Sequence, residues 1–130
     1  MYRIGIDLGG TNIVAAVVDD DYKIVAKAKT PTATPRTPEE IFDDIAKVSK
    51  EAMAEVGLTI ADIKSVGIGT PGTVNSEGVI EYANNLGFDH VPAKQMLIDR
   101  LGCENVFVEN DANCAALGEA VAGCGHGAKD

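Results

Sequence analysis

Residues 2–18 read YRIGIDLGGTNIVAAVV, and this stretch decides the fold. An isoleucine-rich run, Tyr2–Leu8, is broken by Gly9-Gly10-Thr11-Asn12, and residues 13–18 are a second run of β-branched residues and alanines. Such runs favour strands, and a glycine-rich break this short joins antiparallel neighbours. The stretch therefore predicts two antiparallel strands connected by a glycine hairpin.

A third strand is predicted over residues 23–29, after a turn at Asp19-Asp20-Asp21. Its charged and apolar residues alternate, which gives the strand two different faces. The face expected to be solvated holds Lys23, Val25, Lys27 and Lys29, and the other holds Ile24, Ala26 and Ala28. The three strands together form an antiparallel meander.

Residues 31–36 are predicted to form a loop, because Pro31 and Pro35 cannot donate to a strand ladder. Arg36 is expected to be a solvated charge. A capping box then starts a helix, with Thr37 as N-cap, Pro38 at the first helical position and Glu40 closing the box. Gly57 is expected to end this helix.

Strands and helices alternate over the rest of the chain. Short strands are predicted over residues 65–69, 79–82 and 105–109, with a polar loop over 83–91. A helix is predicted from Pro92 to Gly102, and a last one from Asn110 or Asp111. The fold class is therefore α/β, a mixed β-sheet with three antiparallel N-terminal strands and flanking helices, in one domain over residues 1–130.

Composition and charge exclude several classes of protein. The 130 residues carry 11 Lys+Arg against 20 Asp+Glu, and the net charge of −9 disfavours nucleic acid and anionic membranes as partners. No run of about 18 apolar residues is present and the start does not resemble a signal peptide, so a cytoplasmic location is expected. Cys103, Cys114 and Cys124 form no CxxC pair, so reduced thiols are expected rather than a zinc site.

The segment Asp7-Leu8-Gly9-Gly10-Thr11 is the first candidate site. Backbone N–H groups in a glycine turn can converge on a phosphate, Thr11 adds a hydroxyl donor, and Asp7 offers a carboxylate to Mg²⁺. The alternative is a plain Gly-Gly hairpin in which Asp7 bonds the turn.

The segment Gly67-Ile68-Gly69-Thr70-Pro71-Gly72 matches the G-x-G-x-x-G pattern of dinucleotide-binding proteins. That fingerprint requires a helix to begin at the glycines, so that its N-terminus meets the pyrophosphate. No helical run follows Gly72, so we interpret the match as coincidental and expect its glycines to let backbone line a ligand wall.

The segment Glu109-Asn110-Asp111-Ala112-Asn113 brings amides and a carboxylate to a helix start. Asp111 is either a simple N-cap or a general base that accepts a proton from an alcohol, with Asn110 bonding neighbouring hydroxyls. Amides at Asn84 and Asn85 suit polyhydroxylated ligands, and they equally suit turns.

Four motifs in this order make the chain resemble the ROK family of sugar kinases. They are Asp7-Leu8-Gly9-Gly10-Thr11, residues 67–74 (GIGTPGTV), Asn85-Leu86 and residues 110–119 (NDANCAALGE). The resemblance implies an actin-like, ribonuclease-H-like fold of two lobes and the phosphorylation of a hexose or N-acetylhexosamine by Mg-ATP. Glucose is the first substrate to test.

Site residues follow from the resemblance position by position. Gly9, Gly10 and Thr11 would face the ATP phosphates, and Asp7 would lie near Mg²⁺. The sugar would be contacted by Gly72, Asn85, Asn110 and Asp111. Asp111 would be the catalytic base on the attacking hydroxyl.

The family's zinc-binding cysteines, its Glu and His sugar ligands and its adenosine-binding glycines belong to a second lobe, and this sequence has none of them. We therefore expect the chain to be the N-terminal lobe and to be inactive without its partner, a missing C-terminal lobe. We also expect it to form homo-oligomers. Two alternatives remain: a sugar-responsive repressor of the same family, and a non-catalytic domain that binds sugar or nucleotide.

Overall fold

The computed structural model describes residues 1–33, 36–83 and 86–110, with Asn110 described by its backbone only. The strands are β1 (Tyr2–Leu8), β2 (Asn12–Val18), β3 (Ile24–Pro31), β4 (Ile63–Thr70), β5 (Thr73–Val74), β6 (Ile80–Ala83), β7 (Phe88–Val91) and β8 (Val106–Asn110). The helices are α1 (Pro38–Glu55) and α2 (Ala93–Leu101), with a 3₁₀ turn at Ile60–Asp62. The helix predicted after Asn110 lies outside the described residues.

Five strands form one sheet in the order β3-β2-β1-β4-β8. The first three strands of the chain are antiparallel neighbours, whereas β4 runs parallel to both β1 and β8. A smaller antiparallel sheet has the order β5-β6-β7. The predicted mixed sheet with an antiparallel N-terminal meander is therefore confirmed.

The third strand differs from its prediction at both ends. It continues through Pro31, which pairs with Asn12, although the proline was expected to begin a loop. Because β3 is the outermost described strand on this side, the N–H that proline lacks leaves no neighbouring strand without a donor. At the other end, the register shifts between Val17 and Val18, and Ile24 is 47% exposed although it was predicted on the face opposite the lysines.

Both helices begin and end where local signals predicted. Thr37 Oγ1 accepts a hydrogen bond from the Glu40 N–H at 3.2 Å, and Glu40 Oε1 accepts one from the Thr37 N–H at 3.1 Å, which completes the capping box. Gly57 follows α1 at φ 71°, and Gly102 caps α2 at φ 82°. Both glycines adopt the left-handed conformation that helix ends favour.

One face of the large sheet carries the core. Helix α1 packs against β1, β2 and β3, and α2 packs against β8 and α1. Ile4, Ile6 and Leu8 of β1 are fully buried in the same cluster as the apolar stripe of α1. Since side chains alternate along a strand, Gly5 and Asp7 belong to the opposite face. No helix within the described ranges is long and apolar enough to cross a membrane.

The prediction of a loop over residues 83–91 is wrong for its second half, because residues 88–91 form the strand β7. This strand pairs with β6, Ala83 lying opposite Phe88 and Ile80 opposite Val91. Phe88 and Val91 are buried while the two residues between them are exposed, and His90 has a φ of 54°. The distorted strand lacks the alternation on which the sequence prediction depended.

Candidate functional site

Three candidate segments meet where the parallel strands β1, β4 and β8 end. Asp7 lies opposite Gly69 in the β1–β4 pair, and Gly69 lies opposite Glu109 in the β4–β8 pair. The glycine hairpin, residues 70–72 and Asn110 therefore leave the sheet at one edge. In open α/β sheets, ligands bind in the crevice outside the carboxyl ends of the strands.

Asp7 faces away from the helices, on the side of the sheet that it shares with Gly69 and Glu109. Directly opposed residues in neighbouring strands point to the same face, and Gly69 contributes no side chain between the two carboxylates. Burial raises the pKa of the Asp7 carboxyl above its usual range. A half-buried carboxylate at this edge would gain from a bound cation, since the cation replaces the lost hydration.

The hairpin after Asp7 presents backbone donors to solvent. The Gly9 N–H donates to the Asn12 carbonyl oxygen at 3.0 Å, which closes the turn, and a Cβ at Gly9 would lie 3.1 Å from that oxygen. Gly10 and Thr11 are exposed, and no hydrogen bond of the described turns and loops uses their N–H groups. Backbone N–H groups left without a partner in a glycine turn can bind an anion.

The structure adds Thr32 to the site, a residue that the sequence did not single out. Its N–H donates to the Thr11 carbonyl at 2.9 Å, and its hydroxyl donates to the Gly9 carbonyl at 2.7 Å. Thr32 is 0% exposed. The hydroxyl contact joins residues that lie 23 positions apart, and no local sequence pattern predicts such a pairing.

Arg36 is not the solvated charge that was expected. Its guanidinium donates to the Asp44 carboxylate at 2.7 Å and to the Thr32 carbonyl at 3.2 Å, and the two side chains of this ion pair are 24% and 28% exposed. The ion pair joins the first turns of α1 to the segment that carries Thr32. The glycine hairpin is thereby connected to the helix layer.

Gly72 occupies a position that no other residue can take without displacement of backbone. Its φ is 94°, and a Cβ there would lie 1.9 Å from the Tyr82 carbonyl oxygen and 2.8 Å from the Ala83 Cα. The turn after β4 is thus pressed against the end of β6. Ala83 is the last described residue before Asn84 and Asn85, so the chain enters the predicted amide segment beside Gly72.

Three of the predicted site residues are not placed by the structure. Asn85 and Asp111 lie outside the described residues, and of Asn110 only the backbone is described. Asn110 is the last residue of β8 and pairs with Thr70, at the edge where the candidate segments meet.

From the sequence, neither a dinucleotide-binding turn at residues 67–72 nor a zinc site at the cysteines is expected. Gly67 and Gly69 lie inside β4 and the next element is the strand β5, so no helix starts at the G-x-G-x-x-G match. Within the described ranges no group of three or more His, Cys, Asp or Glu side chains could hold a metal ion. Cys103 is a buried free thiol, as predicted, and the other two cysteines lie beyond residue 110.

Comparisons with known proteins give one family. The family model described as the ROK family matches residues 3–130. A glucokinase of Streptomyces coelicolor is 43% identical over 125 residues, which are 95% of this chain and 37% of the relative. An N-acetyl-D-glucosamine kinase of Pasteurella multocida is 37% identical over 119 residues, which are 91% of this chain and 37% of the relative.

The fold of the chain is also found in solved structures. The ROK family glucokinase from Streptomyces griseus, crystallised in complex with glucose and AMPPNP, superposes with a TM-score of 0.80 at 39% identity. That match covers 98% of this chain and 38% of the other. The chain thus has the actin-like fold class of ROK sugar kinases and spans a little over a third of the relatives that it matches, 37% of the first.

Proposed function

The chain belongs to the ROK family, and from this premise we propose that it supplies the phosphate-binding and proton-accepting half of an ATP-dependent hexose kinase. The observation that carries the proposal is the convergence of the glycine hairpin, the Gly72 turn and Asn110 at the carboxyl ends of β1, β4 and β8. Phosphoryl transfer needs a phosphate cradle and a proton acceptor side by side. The proposal is supported by Asn110, the residue before Asp111 in the sequence, which ends β8 at the same edge as the hairpin.

The phosphates of ATP would lie over the hairpin. The exposed N–H groups of Gly10 and Thr11 would donate to the phosphate oxygens, and the small Gly9 keeps the turn tight. Mg²⁺ fits the site, because it is bound in proteins through one or two carboxylates together with substrate phosphates, and Asp7 is a half-buried carboxylate beside the hairpin. Bound there, the ion would neutralise charge on the transferred phosphoryl group.

The proton acceptor in this proposal is Asp111. A sugar hydroxyl oxygen attacks the terminal phosphorus of ATP, the new O–P bond forms as the bond to ADP breaks, and the hydroxyl proton passes to the Asp111 carboxylate. A carboxylate with an ordinary pKa is a weak base, but a loose transition state draws most of its rate from positioning and charge neutralisation.

The substrate in this proposal is a hexose, with glucose first. One matching relative is a glucokinase and another is an N-acetyl-D-glucosamine kinase, so both sugars belong in the test. We assign the sugar contacts to Gly72, Asn85, Asn110 and Asp111. The left-handed Gly72 lets the turn after β4 pack directly against the end of β6, where no side chain would fit.

We further propose that the described fold is one lobe of a larger kinase. The chain spans 37% of the glucokinase and 37% of the N-acetyl-D-glucosamine kinase, so the remaining sugar and adenosine contacts would come from a second lobe. The 130-residue chain alone is then expected to lack turnover. A homo-oligomer and a cytoplasmic location stay predictions of the sequence.

A sugar panel tests the proposal. The complete product of the gene would be assayed for ADP release with glucose, mannose, fructose and N-acetylglucosamine, each with Mg-ATP. Formation of sugar phosphate would be measured with polyphosphate as the alternative donor. We expect sugar-dependent ADP release that needs Mg²⁺. Sugar binding without release of ADP or phosphorylated sugar would instead identify a non-catalytic sensor and contradict the proposal.

A further inference from the structure

We propose that Thr32 is a positioning residue, which holds the glycine hairpin at residues 9–11 in the conformation that receives a phosphate. The inference rests on the function proposed above, since it assigns the hairpin to the nucleotide phosphates. It adds a residue that lies outside all four sequence motifs.

The two ends of the hairpin are tied by one residue. The Thr32 hydroxyl donates to the Gly9 carbonyl at 2.7 Å, and the Thr32 N–H donates to the Thr11 carbonyl at 2.9 Å. Both carbonyls therefore point toward Thr32. When the carbonyls at 9 and 11 are fixed, so are the peptide planes that adjoin them, including the Gly10 N–H that follows the Gly9 carbonyl.

The residue after Thr32 has a strained backbone conformation. Thr32 is 0% exposed, and the next residue, Ala33, has a φ of 56°, in the left-handed region that disfavours residues with a Cβ. Arg36 holds the same segment from the other side, because it donates to the Thr32 carbonyl while paired with Asp44. Such conformations persist where the surrounding contacts over-determine them.

Removing the hydroxyl while keeping the volume separates positioning from packing. Thr32→Val leaves the Gly9 carbonyl without its buried donor, whereas Thr32→Ser keeps that donor and loses a methyl group. Thr30→Val is the matched control, because Thr30 is a half-buried threonine two positions earlier with no described side-chain hydrogen bond.

The experiment measures the complete gene product by steady-state kinetics and by calorimetric titration with MgADP. We expect Thr32→Val to raise the Kd for MgADP and the KM for MgATP by about tenfold, the scale of one lost buried hydrogen bond, with the KM for sugar unchanged. For Thr32→Ser and Thr30→Val, the Kd for MgADP and the KM for MgATP should stay within about twofold of the wild-type values.

A second variant keeps the inference testable if Thr32→Val does not fold. Arg36→Gln releases the Thr32 carbonyl without touching the hairpin, and we expect about a threefold rise in the KM for MgATP, a smaller effect because the contact is indirect. If the folded Thr32→Val leaves both nucleotide constants unchanged, or if it does not fold and Arg36→Gln leaves them unchanged, the inference is overturned.

The two proposals fail in different ways. A wild type without MgADP binding or sugar-dependent turnover overturns the proposed function and this inference with it. A wild type that turns over sugar, with nucleotide constants that Thr32→Val does not change, overturns the inference alone. An equal rise in the sugar and nucleotide KM would also overturn it, since that pattern indicates general loosening of the fold.

Discussion

Replacing Gly72 with alanine should destabilise the chain far more than the same change at another glycine with a positive φ. A Cβ at Gly72 would lie 1.9 Å from the Tyr82 carbonyl oxygen and 2.8 and 2.9 Å from the Cα and Cβ of Ala83. These neighbours are backbone atoms or are fixed to the backbone, so they cannot rotate away. Strand β5 must move off β6, which weakens the pairing of Thr73 with Tyr82.

The expected loss of stability has two parts. A non-glycine residue at the φ of 94° costs about 1–3 kcal/mol. Overpacking against a fixed neighbour adds about 1–3 kcal/mol. The free energy of unfolding should therefore fall by roughly 2–6 kcal/mol, a large share of the roughly 5–15 kcal/mol that holds a domain folded.

Gly102→Ala is the matched control for this prediction. Gly102 has a φ of 82°, and a Cβ there would meet nothing within 4 Å, so only the conformational part applies. Urea unfolding followed by circular dichroism gives both free energies under the same conditions. The reasoning is refuted if Gly72→Ala is no more destabilising than Gly102→Ala.

Two further predictions follow from local contacts. Thr37→Ala removes the acceptor of the Glu40 N–H at the start of α1 and should lower the free energy of unfolding by about 1 kcal/mol. Thr37→Ser keeps a hydroxyl acceptor and should keep most of that stability. Equal stability of the wild type and both variants in urea would contradict the capping role. Asp7→Asn should stabilise the metal-free fold at neutral pH, because burial raises the pKa of Asp7 and disfavours its ionised form. That gain should be full above the folded-state pKa of Asp7, shrink as the pH falls through that pKa, and vanish below the unfolded-state pKa, so a gain independent of pH would be inconsistent with this cause.

The parts of the fold that local chemistry specifies were predictable. The hairpin at residues 9–12, the capping box at Thr37 and the glycine at the end of each helix depend on neighbours in sequence, and the structure has all of them. Strand β7 was not predictable, because Phe88 and Val91 are buried through pairing with β6 and His90 interrupts the alternation.

The candidate site divides in the same way. The glycine hairpin and the Gly72 turn could be proposed as candidate segments from the sequence, since a glycine often marks a backbone conformation that other residues disfavour. The part played by Thr32 could not, because it depends on a contact with Gly9 that exists only once β3 has paired with β2. The ion pair of Arg36 was not predictable for a similar reason, because its partner Asp44 comes near only when α1 has formed.

In the function proposed above, the carboxyl edge of β1, β4 and β8 performs phosphoryl transfer with Asp111 as the proton acceptor. The most direct test is Asp111→Asn in the complete gene product, with turnover and sugar binding measured on the same preparation. An amide keeps the size of the carboxylate and its capacity to cap a helix, but it cannot accept the hydroxyl proton.

We expect kcat to fall by about 10²–10⁴-fold, the usual contribution of a positioned base, while the Kd for sugar changes by less than about tenfold. Turnover within about threefold of wild type on that scale would contradict the account. Asp111 would then be a helix cap, and the convergence of strand ends at this edge would need another chemical explanation.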